Sequence, residues 1–178
     1  VFDPSYVEEM AKYVDVVSLA NNHASDVGSS GERETHDWLD GMGIPWFGSW
    51  ANPTPRYDTT VNDFNLTFIG YHQFQPNEAL LKEEIARADE EGRFVIVMPH
   101  WGAEYIHTPG SSQKYLAKLM VDAGADLIIG GHAHVVQGIQ EIDGVPIVYS
   151  LGNFVFDQEI PQTWNAVTAG VILDGDSV

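Results

Sequence analysis

The sequence predicts an α/β fold, a layered sandwich built on a mixed sheet. Three observations carry that expectation. Apolar runs of strand length alternate with amphipathic helical stretches along the chain. Two of the last runs meet at Asp143-Gly144, a strong short-range hairpin signal. Three of the runs also stop abruptly at Asn or His, as strands do when they deliver side chains to one edge of a sheet.

The elements follow in order. Asp3-Pro4 reads as an N-cap with proline at the first helical position, opening a helix through about Tyr13. Val14 to Ala20 is the first strand. Gly31 to Asp40 is a second helix, with Trp38 and Leu39 inward and Gly41 or Gly43 after it. Residues 51–63, bearing Pro and Thr, read as a loop. "NLTFIGYH" (65–72) is a strand. Pro76 to Glu91 is a charged helix whose Leu80, Leu81, Ile85 and Ala88 share a face, closed by Gly92. "RFVIVMPHW" (93–101) contains the next strand.

Ser111 or Ser112 caps a helix through Ala123, and "ADLIIGG" (125–131) is a strand. Residues 135–151 form the hairpin, and Ala169 to Leu173 reads as a last strand. No internal repeat or low-complexity segment interrupts the pattern, so residues 1–178 are expected to form a single domain.

Composition narrows the function. Apolar residues make up 44% of the 178, enough for one packed core. Eight Lys+Arg against 26 Asp+Glu give a net charge of −18. Such a surface repels phosphate backbones and anionic lipid heads, so nucleic acid is not an expected partner. It suits a divalent cation or a high-salt habitat. No cysteine is present, which excludes disulfides, thiolate metal sites and thiol nucleophiles. No apolar stretch approaches the roughly 20 residues that span a bilayer, so direct membrane insertion by this chain is not expected. The chain begins at Val1, from which a piece of a longer protein is expected, with any anchor outside it.

The chemistry gathers at the strand ends. "DVVSLA" stops at Asn21-Asn22-His23, "FVIVM" at Pro99-His100-Trp101, and "LIIG" at Gly131-His132-Ala133-His134. His132 and His134 lie two apart, so in extended backbone they share a face. The glycines before them allow a tight turn and close approach of a ligand. Imidazole with amide oxygen suits Zn, Mn or Fe better than Ca or Mg. Taken alone, Asn21-Asn22-His23 would pass for a turn.

The blocks "SLANNHASDVGSSG", "HWGAEYIHTPGSSQ" and "ADLIIGGHAHVVQGIQEIDGVPIVYSLGNFVFD" resemble the CapA family of capsule or poly-γ-glutamate synthesis proteins. That family is similar to the calcineurin-like metallophosphoesterases, and the resemblance runs from about residue 3 to residue 158. It implies a calcineurin-like domain of which this chain is the C-terminal part, without its first strands. It also implies two divalent metal ions in the complete domain, on Asp, Asn and His ligands.

By resemblance, Asn22, His100 and His132 would serve the second metal and His134 the first. His23 would be the free imidazole beside the scissile group, acting as a general acid. No D-x-H motif precedes Asn22, so the acidic ligands of the first metal are not expected within this chain. Glu104 would orient a histidine or face solvent, Asn153 would contact substrate or simply turn the chain, and His107 would touch substrate or lie exposed. His72 and His36 read as structural. Trp46, Phe47 and Trp50 form either a stacking platform or the cover of a core edge.

What the resemblance implies is a metal-dependent phosphoesterase-like hydrolase serving capsule or poly-γ-glutamate synthesis or export at the cell envelope. Its partners would be an anionic polymer or a phosphoester, and membrane-bound synthesis subunits. Two alternatives stand beside it: a non-catalytic assembly subunit, and an amide hydrolase acting on poly-γ-glutamate.

Overall fold

The computed structural model describes residues 8–9, 11–49 and 56–174. The proposed helix from Asp3 falls mostly outside them, as does Trp50. A six-stranded mixed sheet forms the centre, in the order β3-β4-β5-β6-β8-β7. Its strands are β3 (Arg56–Val61), β4 (Phe64–His72), β5 (Phe94–His100), β6 (Leu127–Ile129), β7 (Ile139–Ile142) and β8 (Val145–Val148). The neighbours among β4, β5, β6 and β8 pair in parallel, and the edge strands β3 and β7 run antiparallel to theirs. Helices α1 (Gly28–Gly41), α2 (Glu78–Glu90) and α3 (Ser111–Asp122) complete the layers. The architecture is that of a calcineurin-like α/β sandwich.

One face of the sheet carries α2 and α3. Leu81, Ile85 and Ala88 from α2, and Leu116, Ala117 and Met120 from α3, are all at most 5% exposed and pack on Ile69, Val95, Val97 and Ile128. This is the apolar stripe that the sequence periodicity predicts. Asn77 caps α2, its side-chain oxygen accepting from Leu80 N at 3.1 Å. The cap of α3 differs from expectation: Gly110 takes that position and Ser111 begins the helix. Gln113, itself fully buried, reaches back so that its Oε1 accepts from Gly110 N at 3.0 Å.

On the other side lies a second, two-stranded parallel sheet of β1 (Val17–Ser18) and β2 (Trp46–Phe47). The two layers meet almost backbone to backbone. A side chain at Gly70 would place its Cβ 2.8 Å from Gly48 Cα and 2.9 Å from Ala20 Cβ. Only hydrogen fits there.

Four sequence expectations need correction. Residues 56–63 are not loop: β3 pairs with β4 through a turn at Asn62-Asp63, whose φ angles of 48° and 70° suit residues that tolerate the left-handed region. Residues 169–173 form no strand, and Ile172 is 84% exposed. The first strand covers only Val17–Ser18. Trp38 is exposed rather than inward, whereas Leu39 is buried. The Asp143-Gly144 hairpin is present, with Ile142 opposite Val145.

Candidate metal centre at the strand ends

Register places the site. His72 of β4 lies opposite His100 of β5, and His100 bridges to Gly131 just beyond β6. Three neighbouring parallel strands therefore end at one level, and the chain past each of them lies along a single edge. Asn22 arrives from the other layer, two residues beyond Ala20, because Gly70 and Gly48 let that layer sit so close.

The polar block after β1 divides its labour. Asn21 makes the turn, its Oδ1 accepting from His23 N at 2.9 Å. Asn22 faces the site, with Oδ1 2.8 Å from His100 Nε2. His23 is exposed and its Nδ1 lies 2.9 Å from Asp26 Oδ2. The turn falls to Asn21, while Asn22 is the residue that meets His100.

His132 Nδ1 lies 3.1 Å from the same His100 Nε2. Three atoms thus converge: a carboxamide oxygen and two ring nitrogens. His100 Nε2 carries one proton or one lone pair. If it donates to Asn22 Oδ1, no lone pair remains to accept from His132. If it accepts from His132, its lone pair faces the Asn22 oxygen. One neutral nitrogen can meet both contacts only by sharing a single proton between them.

A cation touching all three atoms removes the conflict. Metal–nitrogen and metal–oxygen bonds of about 2.0–2.2 Å put adjacent ligand atoms roughly 3.0–3.4 Å apart, close to the separations found. Among the described residues no three His, Asp or Glu side chains assemble as a metal-ligand set, so an ion held here would need the carboxamide as well.

Burial disfavours the charged form of His100, His132 and His72, and a neutral imidazole is the form that can ligate a metal. Burial pushes His100 down to about 3, helped by the neighbouring His132, His72, His134 and His23. Burial also lowers His132, with Glu104 opposing and His134 and His23 adding to the effect. Burial lowers His72, which is 1% exposed at the end of β4.

The GGHAH turn is not extended, contrary to the sequence expectation. His132 has φ 89° and His134 φ 59°, with fully buried Ala133 between them. Two excursions into the left-handed region cost about 1–2 kcal/mol each for residues with a Cβ, a form of strain that gathers at functional sites. Of the two glycines before them, Gly130 is required by packing: a Cβ there would sit 2.4 Å from Trp101 Nε1 and 2.2 Å from Tyr149 O. Gly131 faces open space.

His134 bonds through Nδ1 to Asn153 Oδ1 at 2.8 Å, and its ring lies 6.1 Å from that of His132. Glu104 is exposed and reaches His132 through its charge. His107 points elsewhere, its Nδ1 3.2 Å from Val136 O. Aromatic rings flank the cluster: Phe74 stands edge-on to His132 at 5.0 Å, while Tyr105 and Phe156 lie 6.0 and 5.4 Å from His134.

Sequence reading missed Asp26, Gln73, Phe74, Tyr105, Phe156 and Gln158. Gln73 and Phe74 directly follow the strand end at His72, a position that could have drawn notice. Gln73 holds Gly102 at both backbone atoms, donating to its oxygen at 2.7 Å and accepting from its nitrogen at 2.8 Å. Trp46 stacks on His36 at 3.9 Å and Phe47 is fully buried, so these two cover a core edge.

The profile of the bacterial capsule synthesis protein family, PGA_cap, matches residues 1–158. The chain belongs to that family. It is 35% identical over 163 residues to the PGA biosynthesis protein CapA of Bacillus subtilis (strain 168), covering 80% of this chain and 43% of that protein. It is 34% identical over 165 residues to the capsule biosynthesis protein CapA of Bacillus anthracis, covering 80% and 40%. A probable polyglutamine synthesis accessory protein of Mycobacterium tuberculosis (strain CDC 1551 / Oshkosh) is 27% identical over 173 residues, covering 81% and 46%. The chain therefore spans less than half the length of these family relatives.

Charge distribution adds a last feature. No Lys or Arg occurs in residues 13–32, 57–81 or 94–113, nor anywhere after Lys118. Every segment that supplies the site lies within those stretches. Among the described residues no helix is long and apolar enough to cross a membrane.

Proposed function

We propose that the chain carries the histidine-rich half of a divalent-metal hydrolase of the phosphoesterase type, acting in the synthesis or export of an anionic capsule polymer. The observation that supports this most is the convergence of Asn22 Oδ1, His100 Nε2 and His132 Nδ1, in which one ring nitrogen is shared between two partners. The absence of Lys and Arg from the site's segments points the same way, because those segments bring no fixed side-chain cation to a phosphoryl or carboxylate group.

Asn22, His100 and His132 would hold one ion, and His134 would offer a ligand towards a second. A bound divalent ion supplies charge stabilisation and a water acidic enough to lose its proton near neutral pH. The chain's own residues do the rest. His23, exposed and 2.9 Å from Asp26 Oδ2, would give a proton to a leaving oxygen. Glu104 favours the protonated form of His132, so its carboxylate opposes part of the burial effect. Phe74, Tyr105 and Phe156 flank the imidazoles and would limit water's access to them.

Calorimetric titration of metal-free protein with Mn²⁺ and Zn²⁺ tests the reading, followed by assays on model phosphomonoesters, phosphodiesters and poly-γ-glutamate. We expect binding that His132→Ala weakens at least 100-fold, and phosphoester cleavage by the protein at its full family length. Cleavage of the γ-linked amide alone would redirect the reading to an amide hydrolase. No metal binding in either form would overturn both.

That last outcome would leave a non-catalytic assembly subunit. One observation favours this second reading: no three His, Asp or Glu side chains assemble among the described residues. The word "accessory" in the name of the Mycobacterium tuberculosis relative accords with it.

A further inference from the structure

A hydrogen-bonded circuit runs behind His134. Its Nδ1 lies 2.8 Å from Asn153 Oδ1, Asn153 Nδ2 donates to Gln158 Oε1 at 3.2 Å, and Gln158 Nε2 donates to Tyr105 Oη at 3.0 Å. The Tyr105 ring returns to stack on His134, centroids 6.0 Å apart and 25° from parallel. The backbone of Gln158 is pinned by Trp164, whose Nε1 donates to its oxygen at 2.9 Å. Tyr105 itself is held at φ 64°, its N donating to Ala133 O at 2.8 Å.

Carboxamides make such a circuit directional. Each has one accepting end and one donating end, so turning one of them alone sets two acceptors or two donors against each other. Only two senses are self-consistent, and all four groups reverse together. The structure holds the sense in which Asn153 presents oxygen to His134. The proton then sits on Nδ1, and Nε2 keeps its lone pair. In the same sense Tyr105 Oη accepts from Gln158, which leaves its own proton to give. Among the described residues Tyr105 Oη makes no other hydrogen bond.

We propose that Gln158 is a positioning residue that sets both ends of this circuit. Through Asn153 it fixes His134 with Nε2 as the free lone pair. Through Tyr105 it turns a phenol proton outward, as a donor to an oxygen of a phosphoryl or carbonyl group bound at the imidazoles. The second half rests on the hydrolase reading; the first does not. It requires only the side chains present.

The test is the tautomer of His134 in metal-free protein at about pH 8, where imidazoles are neutral. Long-range ¹H–¹⁵N spectra distinguish the two ring nitrogens directly. Wild type should show the Nδ1–H form. Gln158→Leu, with melting unchanged, should show a mixture, because Asn153 is freed to turn. Gln158→Glu should restore the Nδ1–H form, since a carboxylate still accepts from Asn153. It also accepts from Tyr105, which draws that phenol proton inward.

Metal affinity read in parallel should fall 10- to 100-fold in Gln158→Leu and recover in Gln158→Glu. A substrate KM raised in Gln158→Glu, with metal affinity retained, supports the role of Tyr105; an unchanged KM removes that half. An Nε2–H form in wild type, or a single unchanged tautomer in Gln158→Leu, overturns the proposal. Should Gln158→Leu fail to fold, an Nε2–H form or a mixture in Gln158→Glu overturns it equally. Wild type that shows the Nδ1–H form yet binds no metal defeats the hydrolase reading and leaves the circuit standing.

Discussion

Two polar clusters sit at different places on the six-stranded sheet, and they are built on opposite principles. Near the start of β5, Arg93 donates to Thr67 Oγ1 at 2.7 Å, Leu66 O at 2.8 Å and Thr59 O at 3.1 Å, with Asp58 3.5 Å away. Asp58 accepts in turn from Thr67 at 2.7 Å and pairs with Arg56, which also meets Glu91. Charges there meet opposite charges, and Arg93's donors meet acceptors. At the far end of β5 the groups are neutral, and one nitrogen is asked to serve two partners. The first network is nearly closed, with Arg56 Nη1 the one buried donor of the cluster left without a partner among the described residues; the second leaves one nitrogen between two partners.

The contrast can be broken most severely at the closed end. Arg93→Met should cost about 3 kcal/mol, roughly one for each hydrogen bond lost, and leave Asp58 partly unpaired. Metal affinity at the imidazoles should be unaffected. Urea denaturation reads the first effect and calorimetry the second; a metal site that weakened along with stability would show the two ends to be coupled.

A smaller effect is expected at the seam between the layers. Gly70→Ala forces a methyl to within 2.8 Å of Gly48 Cα, so the layers must part. About 2 kcal/mol should be lost. Unlike the arginine change, this one should also draw Asn22 away from His100 and lower metal affinity. Lost stability with intact affinity would mean that Asn22 is not carried by the layer packing.

The smallest effect sharpens the contrast through pH. His100 is pushed down to about 3 in the fold, against about 6.5 for a free imidazole. Below pH 6.5 the unfolded chain therefore binds a proton that the folded chain refuses. The stability tied to this group is complete above about 6.5 and is lost progressively as pH falls towards 3. Between pH 7 and pH 5.5 the loss should be about 1.3 kcal/mol from His100, and His132 and His72 shift in the same direction. Urea midpoints at the two pH values check it. Saturating metal should deepen the acid sensitivity, since protonation then also expels the ion.

These two ends were not equally legible in the sequence. The helices on the sheet announced themselves through Leu81, Ile85, Leu116 and Met120, because burial on one side imposes a period that anyone can count. Asp143-Gly144 announced its hairpin for a similarly local reason. The hairpin at Asn62-Asp63 did not, although "YDTTVNDFNLTF" has the β-branched and aromatic residues of two strands; Pro and Thr just upstream made the stretch resemble a loop.

At the site, strand-end position was enough to single out the Asn21-Asn22-His23 block with His100, His132 and His134, and the structure brings Asn22 and these histidines to one edge. It could not tell that Asn21 turns the chain while Asn22 faces the imidazoles, since adjacent identical side chains differ only in backbone direction. Nor could it find Tyr105 or Gln158. They lie 53 residues apart in sequence and meet only through a left-handed backbone at one and an indole bond at the other.

The alignment of His72, His100 and Gly131 across three strands has a further consequence. The sheet acts as a ruler on which the site is one graduation. Side chains alternate between faces at every step, so deleting a single residue of β5 ahead of His100 would deliver Trp101 to the mark and swing His100 to the opposite layer. Insertions in the loops between strands would leave the reading unchanged. The chemistry of this edge is stored as a count of residues, and strand length is as much a part of it as the histidines are.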